Sequence, residues 1–286
     1  MRPANIVTSV ADVLAGVSIS GFIASLGFMT TNLSPVILLC ISTIGLYGGG
    51  VVFNDVFDAA LDKLERPERP IPSGLISVKQ ASILGVSLLL VGIITAFLVN
   101  EISGLLSVSI AAAALIYNKW SKHHSIAGPL NMGLCRGLNL LLGISIVTVA
   151  LNQWWFLAFV PIIYIAAITM ISRGEVHGGN QSVLYAAGVL YSIVIAAILW
   201  LSSVNGQLWW TIIFLVPFSL MIFSALIRAI RSPLPKNIGK AVKAGIIALI
   251  LMNAAWASAF GAIFLAFLIV LLLPLSLWLS KLFAVT

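Results

Sequence analysis

Residues Asn54-Asp55-Val56-Phe57-Asp58-Ala59-Ala60-Leu61-Asp62-Lys63 open a charged stretch that continues as Leu64-Glu65-Arg66-Pro67-Glu68-Arg69-Pro70-Ile71-Pro72-Ser73-Gly74. Only 8% of the chain is charged, yet five of its eight acidic residues fall between Asp55 and Glu68, just where a long apolar run ends. At about 100° per residue, Asp55, Asp58 and Asp62 fall within an arc of roughly 60° on a helix, with Asn54 about 40° further round. Like charges placed so closely repel. A divalent cation reverses that sign, because hard Mg²⁺ takes oxygen ligands and commonly bridges one or two carboxylates to a phosphate. Lys63, Arg66 and Arg69 then follow as donors suited to phosphate oxygens. A plainer reading is a helix end held by pairs such as Asp58 or Asp62 with Lys63 or Arg66. It leaves the alignment of three carboxylates with Asn54 unexplained.

Outward from this stretch the chain is apolar. Its 286 residues are 61% hydrophobic, with a mean hydropathy of +1.15. A soluble domain of this length carries many more charges, so composition specifies an integral membrane protein. Apolar runs of spanning length are read at 9–30, 35–57, 81–99, 126–150, 154–172, 183–203 and 208–227, with a shorter one at 103–118. Residues 242–282 form one block, too long for a single span. The expected fold class is an all-α integral membrane bundle of nine transmembrane helices around a central cavity, or ten if that block folds back near Ser258–Gly261. The runs are continuous rather than alternating, which excludes a β-barrel. One domain fills residues 1–286, and the first span, with Asp12 inside it, reads as a retained helix rather than a signal peptide.

Charge follows the same layout. Arg2, Lys63, Arg66, Arg69, Lys79, Lys119, Lys122, Arg173, Arg228, Arg231, Lys236, Lys240 and Lys243 fall on one side in this count, and the connections near 31–34, 151–153 and 203–207 contain no Lys or Arg. The positive-inside rule makes the basic side cytoplasmic. The net charge of +7 is thereby an orientation signal with attraction to anionic membrane lipid, and nucleic acid is not an expected partner. Cys40 and Cys135 lie within spans and read as small apolar residues. Gly48-Gly49-Gly50 reads as a helix-packing surface rather than a phosphate loop.

Asn54-Asp55-x-x-Asp58-x-x-x-Asp62, followed by Arg66-Pro67-x-Arg69-Pro70-x-Pro72-Ser73-Gly74, resembles the first aspartate-rich motif of the UbiA-type intramembrane prenyltransferases. Length, helix count and the position of the motif after the second helix agree with that resemblance. It implies transfer of a prenyl group from a prenyl diphosphate to a small-molecule acceptor, aromatic in the main reading, with Mg²⁺ as cofactor. Carried over by position, Asn54, Asp55, Asp58 and Asp62 are the implied metal ligands, with Asp58 and Asp62 central to catalysis. Lys63, Arg66 and Arg69 are implied diphosphate contacts. In Tyr117-Asn118-Lys119-Trp120-Ser121-Lys122 the resemblance favours Lys119 as a further contact and leaves Lys122 as a surface charge. Asn5 matches a cavity-lining position.

The chain departs from the family at its second acidic motif. The segment reads Ser172-Arg173-Gly174-Glu175-Val176-His177-Gly178-Gly179-Asn180, with one carboxylate. Glu175 is expected to hold Mg²⁺ or its bound water, with Asn180 and Arg173 on the substrate. His177 is a poor magnesium ligand and is expected in proton transfer or as a donor to the diphosphate. The loop wording resembles UbiA-like proteins encoded in bacterial ebo clusters, which implies a bacterial plasma membrane. A non-catalytic isoprenoid-binding or transport protein on the same fold is the rival expectation, supported by the depleted second motif. Acceptors such as an alcohol or a sugar phosphate form a third. Asp12 and Arg136 are ionisable groups inside spans, where each needs a partner, and pairing across the bundle is the favoured reading. Asn131, Arg136 and Asn139 are expected to form a cavity-facing stripe.

Overall fold

Every regular element that the computed structural model describes is helical, and it describes residues 3–23, 32–124, 126–175 and 178–282. The order is α1 (Pro3–Ile19), α2 (Ser34–Phe57), α3 (Ala59–Glu65), α4 (Val78–Phe97), α5 (Glu101–Lys119), α6 (Ala127–Ile144) and α7 (Thr148–Trp154). There follow α8 (Phe159–Ser172), α9 (Gln181–Val204), α10 (Leu208–Arg231), α11 (Pro235–Ala259), α12 (Ile263–Val270) and α13 (Leu272–Leu282). Successive rods run antiparallel through short connections. The start of α1 and the α2–α4, α5–α6, α8–α9 and α10–α11 connections therefore gather at one end, here the motif end.

Among the described residues, eight segments are long and apolar enough to cross a membrane: α2, α4, α5, α7–α8 as one rod, α9, α10, α11 and α12–α13 as one rod. Their outer faces carry exposed residues such as Ile37, Ile83, Leu90, Ile94, Leu220 and Phe264. So much exposed apolar surface is tolerable only where lipid covers it. The count differs from the expected nine or ten because α1 and α6 fall short of these criteria. α1 carries Asn5, Thr8, Ser9 and Asp12, and α6 carries Asn131, Arg136 and Asn139, most of them buried against other helices. α1 falls short in length, as an apolar helix over Ala4–Ile19, whereas in α6 hydropathy counts Asn131, Arg136 and Asn139 as unsuited to lipid.

Two boundaries illustrate the local chemistry. The block 242–282 does fold back, at Phe260-Gly261-Ala262. Gly261 adopts φ +80°, Gly261 N–H donates to Ser258 O at 2.9 Å, and Ala262 N–H to Ala257 O at 2.9 Å. This pairing satisfies carbonyls at the end of α11, and the left-handed residue it requires is a glycine. The expected connection at 151–153 lies instead inside α7, and the chain turns at Ser145–Val147. Asn100 explains the shift. Its Oδ1 accepts from Ser103 N–H at 2.8 Å to cap α5, while its Nδ2 donates to Ser145 O at 2.9 Å to close α6.

The interior is organised by one polar node and by close helix contacts. Asp12, 1% exposed, accepts from Arg136 Nη1 at 2.7 Å, from Asn253 Nδ2 at 2.7 Å and from Asn139 Nδ2 at 3.3 Å. Arg136 Nη2 donates to Thr8 Oγ1 at 2.8 Å, and its guanidinium lies 5.3 Å from the ring centroid of Tyr47. α1, α2, α6 and α11 thus meet at one buried ion pair, as the pairing of Asp12 with Arg136 anticipates. α1 and α6 also cross almost backbone to backbone: a Cβ on Gly143 would stand 2.2 Å from Val13 O, and one on Gly16 2.3 Å from Leu140 O. The glycines before the motif serve packing too, since a Cβ on Gly49 would collide with the Leu89 side chain of α4 at 2.8 Å.

Gly143→Val is expected to lower stability by about 2 kcal/mol or more, measured as thermal unfolding in a lipid environment. Arg136→Met alone strands Asp12 and is expected to cost roughly 3–5 kcal/mol. The double variant Arg136→Met with Asp12→Leu is expected to recover most of that loss, because no charge is left unpaired.

Candidate active site

The sequence motif becomes a site because the helix carrying it changes segment at its central carboxylate. Asp58 belongs to neither α2 nor α3. Its backbone N–H still donates to Asn54 O at 3.0 Å, and its carbonyl accepts from Asp62 N–H at 2.8 Å. The helical path is therefore nearly continuous, and Asp55, Asp58 and Asp62 keep the shared face that their spacing implies.

Each carboxylate faces a cation. Arg69 Nη1 is 2.7 Å from Asp62 Oδ2 and 3.6 Å from Asp55 Oδ1, so the arginine returns across the Pro67–Pro70 turn onto the helix that precedes it. Asp62 is buried, and Asp55 is more open. Asp58 is held from the opposite side by Lys122 Nζ, carried on the 3₁₀ turn Ser121–His123 after α5. Arg69 and Lys122 are the cations that ion pairs bring onto these three carboxylates. Asn54 is fixed sideways: its Nδ2 donates to Asn118 Oδ1 at 3.2 Å, and Asn118 Nδ2 donates to Gly50 O at 2.7 Å. That leaves the carbonyl oxygen of Asn54 as its available ligating atom.

The donor set of Asn54, Asp55, Asp58 and Asp62 is all oxygen, which fits Mg²⁺ and not a soft metal. Among the described residues, however, no three His, Cys, Asp or Glu side chains converge closely enough to form a ready metal site. The carboxylates are engaged by basic side chains instead.

Other anticipated residues are placed as follows. Lys63 and Arg66 are exposed on the outer side of the motif. Lys119, favoured over Lys122 from sequence, is exposed, with its Nζ 4.6 Å from the ring centroid of Trp120, while Lys122 is the lysine that reaches Asp58. The reason is geometric: α5 ends at Lys119, and the 3₁₀ turn carries Lys122 back toward α2. Asn118 was not singled out from sequence. Its only signal was an amide at the last buried position of an apolar helix. Asn5 is buried on α1.

The 172–180 segment is a loop shaped by its glycines. Gly179 N–H donates to Pro233 O at 3.0 Å, which ties the loop to the α10–α11 connection. Glu175 is half-buried against α11, where a Cβ on Gly239 would stand 3.6 Å from its Oε1. Arg173 is exposed. Asn180, expected on the substrate, accepts from Ser182 N–H at 2.9 Å as the N-cap of α9. His177 and Arg2 lie outside the described residues. An apolar groove of about 500 Å³ lies between α9 and α10 away from the motif, lined by residues such as Val189, Ile193 and Phe223.

Lys122→Ala is expected to weaken binding of a prenyl diphosphate by roughly tenfold, as loss of one charge-assisted contact. Lys119→Ala is expected to leave it within about twofold, since a surface cation on an aromatic ring contributes little. Equilibrium binding to the purified protein measures both.

Comparison with known proteins agrees with this architecture. The model of the UbiA prenyltransferase family matches residues 13–243. A digeranylgeranylglyceryl phosphate synthase of Methanothrix thermoacetophila is 34% identical over 143 residues, covering 50% of this chain and 51% of that protein. One of Ignicoccus hospitalis is 28% identical over 183 residues, covering 62% and 56%. The chain thus matches about half the length of these curated relatives. Among solved structures, the apo UbiA homologue of Aeropyrum pernix K1 superposes with a TM-score of 0.71 at 17% identity, covering 87% of this chain and 96% of that one. A UbiA homologue of Archaeoglobus fulgidus, bound to DMAPP and Mg²⁺, gives 0.62 at 15% identity, covering 92% and 96%. At those identities the likeness is one of fold.

These relatives correct one expectation. They are archaeal, so the bacterial plasma membrane implied by the loop wording is not sustained. Nor is the cytoplasmic placement of the site, since the basic end of the bundle is a charge asymmetry rather than an orientation. The helical bundle, the motif at the end of its second rod and the family match over most of the chain converge on one conclusion: this protein belongs to the UbiA prenyltransferase family.

Proposed function

We propose that this protein is a Mg²⁺-dependent membrane prenyltransferase that moves a prenyl group from its diphosphate to an acceptor. The observation that carries the reading is the gathering of Asp55, Asp58, Asp62 and the Asn54 carbonyl with Arg69 and Lys122 at one end of the bundle. When bound, Mg²⁺ would supply positive charge to the departing diphosphate. The chain's own residues do the rest. Lys122 and Arg69 are the cations best placed to turn from carboxylates to diphosphate oxygens. In doing so they would free Asp58 and Asp62 to act as oxygen ligands. As the allylic C–O bond breaks, negative charge grows on the leaving group, and cations already turned onto it stabilise that charge. An allylic cation also needs protection from water, which a site at the end of a lipid-embedded bundle provides.

The second half of the site is thinner. Glu175 is its one acidic residue and Asn180 is occupied as a helix cap, so the motif after α2 is assigned the main share of the chemistry. The names of the curated relatives favour a phosphate-bearing alcohol over an aromatic ring as acceptor. The transmembrane count is proposed as ten, with α1 and α6 joining the eight apolar rods. Kinship with the ebo-cluster branch rests on the wording of 172–179 alone.

The test is diphosphate release by the purified protein in lipid, with prenyl diphosphates of several lengths, with and without Mg²⁺. Glyceryl phosphate and aromatic acids would be offered as acceptors. Magnesium-dependent release that falls by about 100-fold or more in Asp58→Ala and in Asp62→Ala is the expected result. Tight prenyl diphosphate binding without release, under every acceptor, would instead favour a binding or transport protein on the same fold.

A further inference from the structure

A second charged site lies apart from the motif, inside the α10–α11 hairpin. Ser224 and Arg228 on α10 and Asn237 and Lys240 on α11 line a cavity of about 280 Å³, floored by Met221, Ala225 and Ala244. The spacing explains the cavity. Residues 221, 224, 225 and 228 share one face of α10, and 237, 240 and 244 share the opposing face of α11. Alanine at 225 and 244 leaves space between the two helices where larger side chains would fill it.

Two of the lining residues are cations, and among the described residues neither forms an ion pair. Arg228 Nε donates to Ser224 O at 3.1 Å, which fixes the side chain on its own helix and leaves both Nη groups. The sequence contains no Asp or Glu after Glu175, whereas Arg228, Arg231, Lys236, Lys240 and Lys243 fall within sixteen positions. Glu175 itself stands against Gly239, on the neighbouring face of α11. Arg228 and Lys240 are exposed at the mouth of the cavity, where an anion from outside the chain can reach both.

Position and size select which anion. The cavity sits at the motif end of two rods whose outer faces, at Leu220 and Ile227, are exposed and apolar. That is the level at which lipid headgroups meet a spanning helix. A volume of about 280 Å³ lies at the lower edge of small-molecule pockets, roughly 300–1,000 Å³. It suits a headgroup whose chains run outward along the helices, and the floor of Met221, Ala225 and Ala244 suits the first carbons. Basic pockets between membrane helices bind anionic headgroups by this combination of charge and level.

We infer that the α10–α11 cavity binds the phosphate headgroup of an anionic membrane lipid. The assignment is independent of the chemistry proposed for the motif. The test is lipid binding to the purified full chain, followed by native mass spectrometry with phosphatidylglycerol, phosphatidylcholine and soluble glycerol phosphate as probes. The paired substitution R228Q/K240Q is expected to weaken phosphatidylglycerol binding by about thirty-fold, while R231Q/K236Q, which removes the same charge outside the cavity, costs less than about threefold. Ala244→Leu keeps every charge but fills the floor, and is expected to weaken binding as well. Equal losses in the two charge pairs would overturn the inference in favour of diffuse attraction. So would unchanged binding in Ala244→Leu, phosphatidylcholine binding as tightly as phosphatidylglycerol, or displacement of the lipid by glycerol phosphate at equal concentration.

Discussion

The buried pairing of Asp12 with Arg136 is the constraint on which the rest of the bundle depends. A charge inside a lipid-embedded protein is strongly unfavourable unless it is paired and its remaining hydrogen bonds are met. Here three side chains donate to one carboxylate, and the guanidinium also finds Thr8 and the face of Tyr47. These partners come from four different rods, so their relative rotation and height are set together. The link to function runs through α2. Tyr47 is seated on the node seven residues before Asn54, about 10 Å along the helix axis, so the node also fixes where the motif emerges.

How far the sequence could be read follows from the same physics. Continuous apolar runs against lipid declared most of the rods, and the fold-back near Gly261 was visible as a block too long for one span. The runs at 9–30 and 126–150 marked α1 and α6 as well, but the start of α1 at Pro3 was placed late, because Asn5, Thr8 and Ser9 are buried against other helices and hydropathy counts each alone. The carboxylate spacing of the motif was legible because helical periodicity carries it intact through Asp58. The basic partners were legible only in part. Arg69 reaches Asp62 through a proline turn, and Lys122 reaches Asp58 through a 3₁₀ turn, so neither contact follows a helical period. Asn180 shows the converse: an amide in a glycine-rich loop looks like a ligand until the start of α9 claims its oxygen.

The motif shows how a membrane protein keeps three carboxylates close together without a solvent shell. Asp62 is the most buried of them and lies 2.7 Å from Arg69, whereas Asp55 is more open and lies 3.6 Å from the same arginine. The buried Asp62 is directly paired, as the cost of desolvating an ion requires. Because both cations come from outside the α2–α3 helix, from the proline turn and the turn after α5, they can move without unwinding the helix that presents the carboxylates. The acidic part of the site is carried on a helix, and its basic part on the turns around it.

The crossing of α1 and α6 at Gly16 and Gly143 limits the routes by which this fold can change its sequence. In an ordinary core contact, a larger side chain on one helix can be offset by a smaller one on its neighbour. Here each glycine already faces backbone from the opposite helix, and neither position has anything left to shrink. A second-site suppressor at the crossing therefore does not exist. Any chain that enlarges either residue must separate the two helices, and that separation would also pull Asp12 away from Arg136.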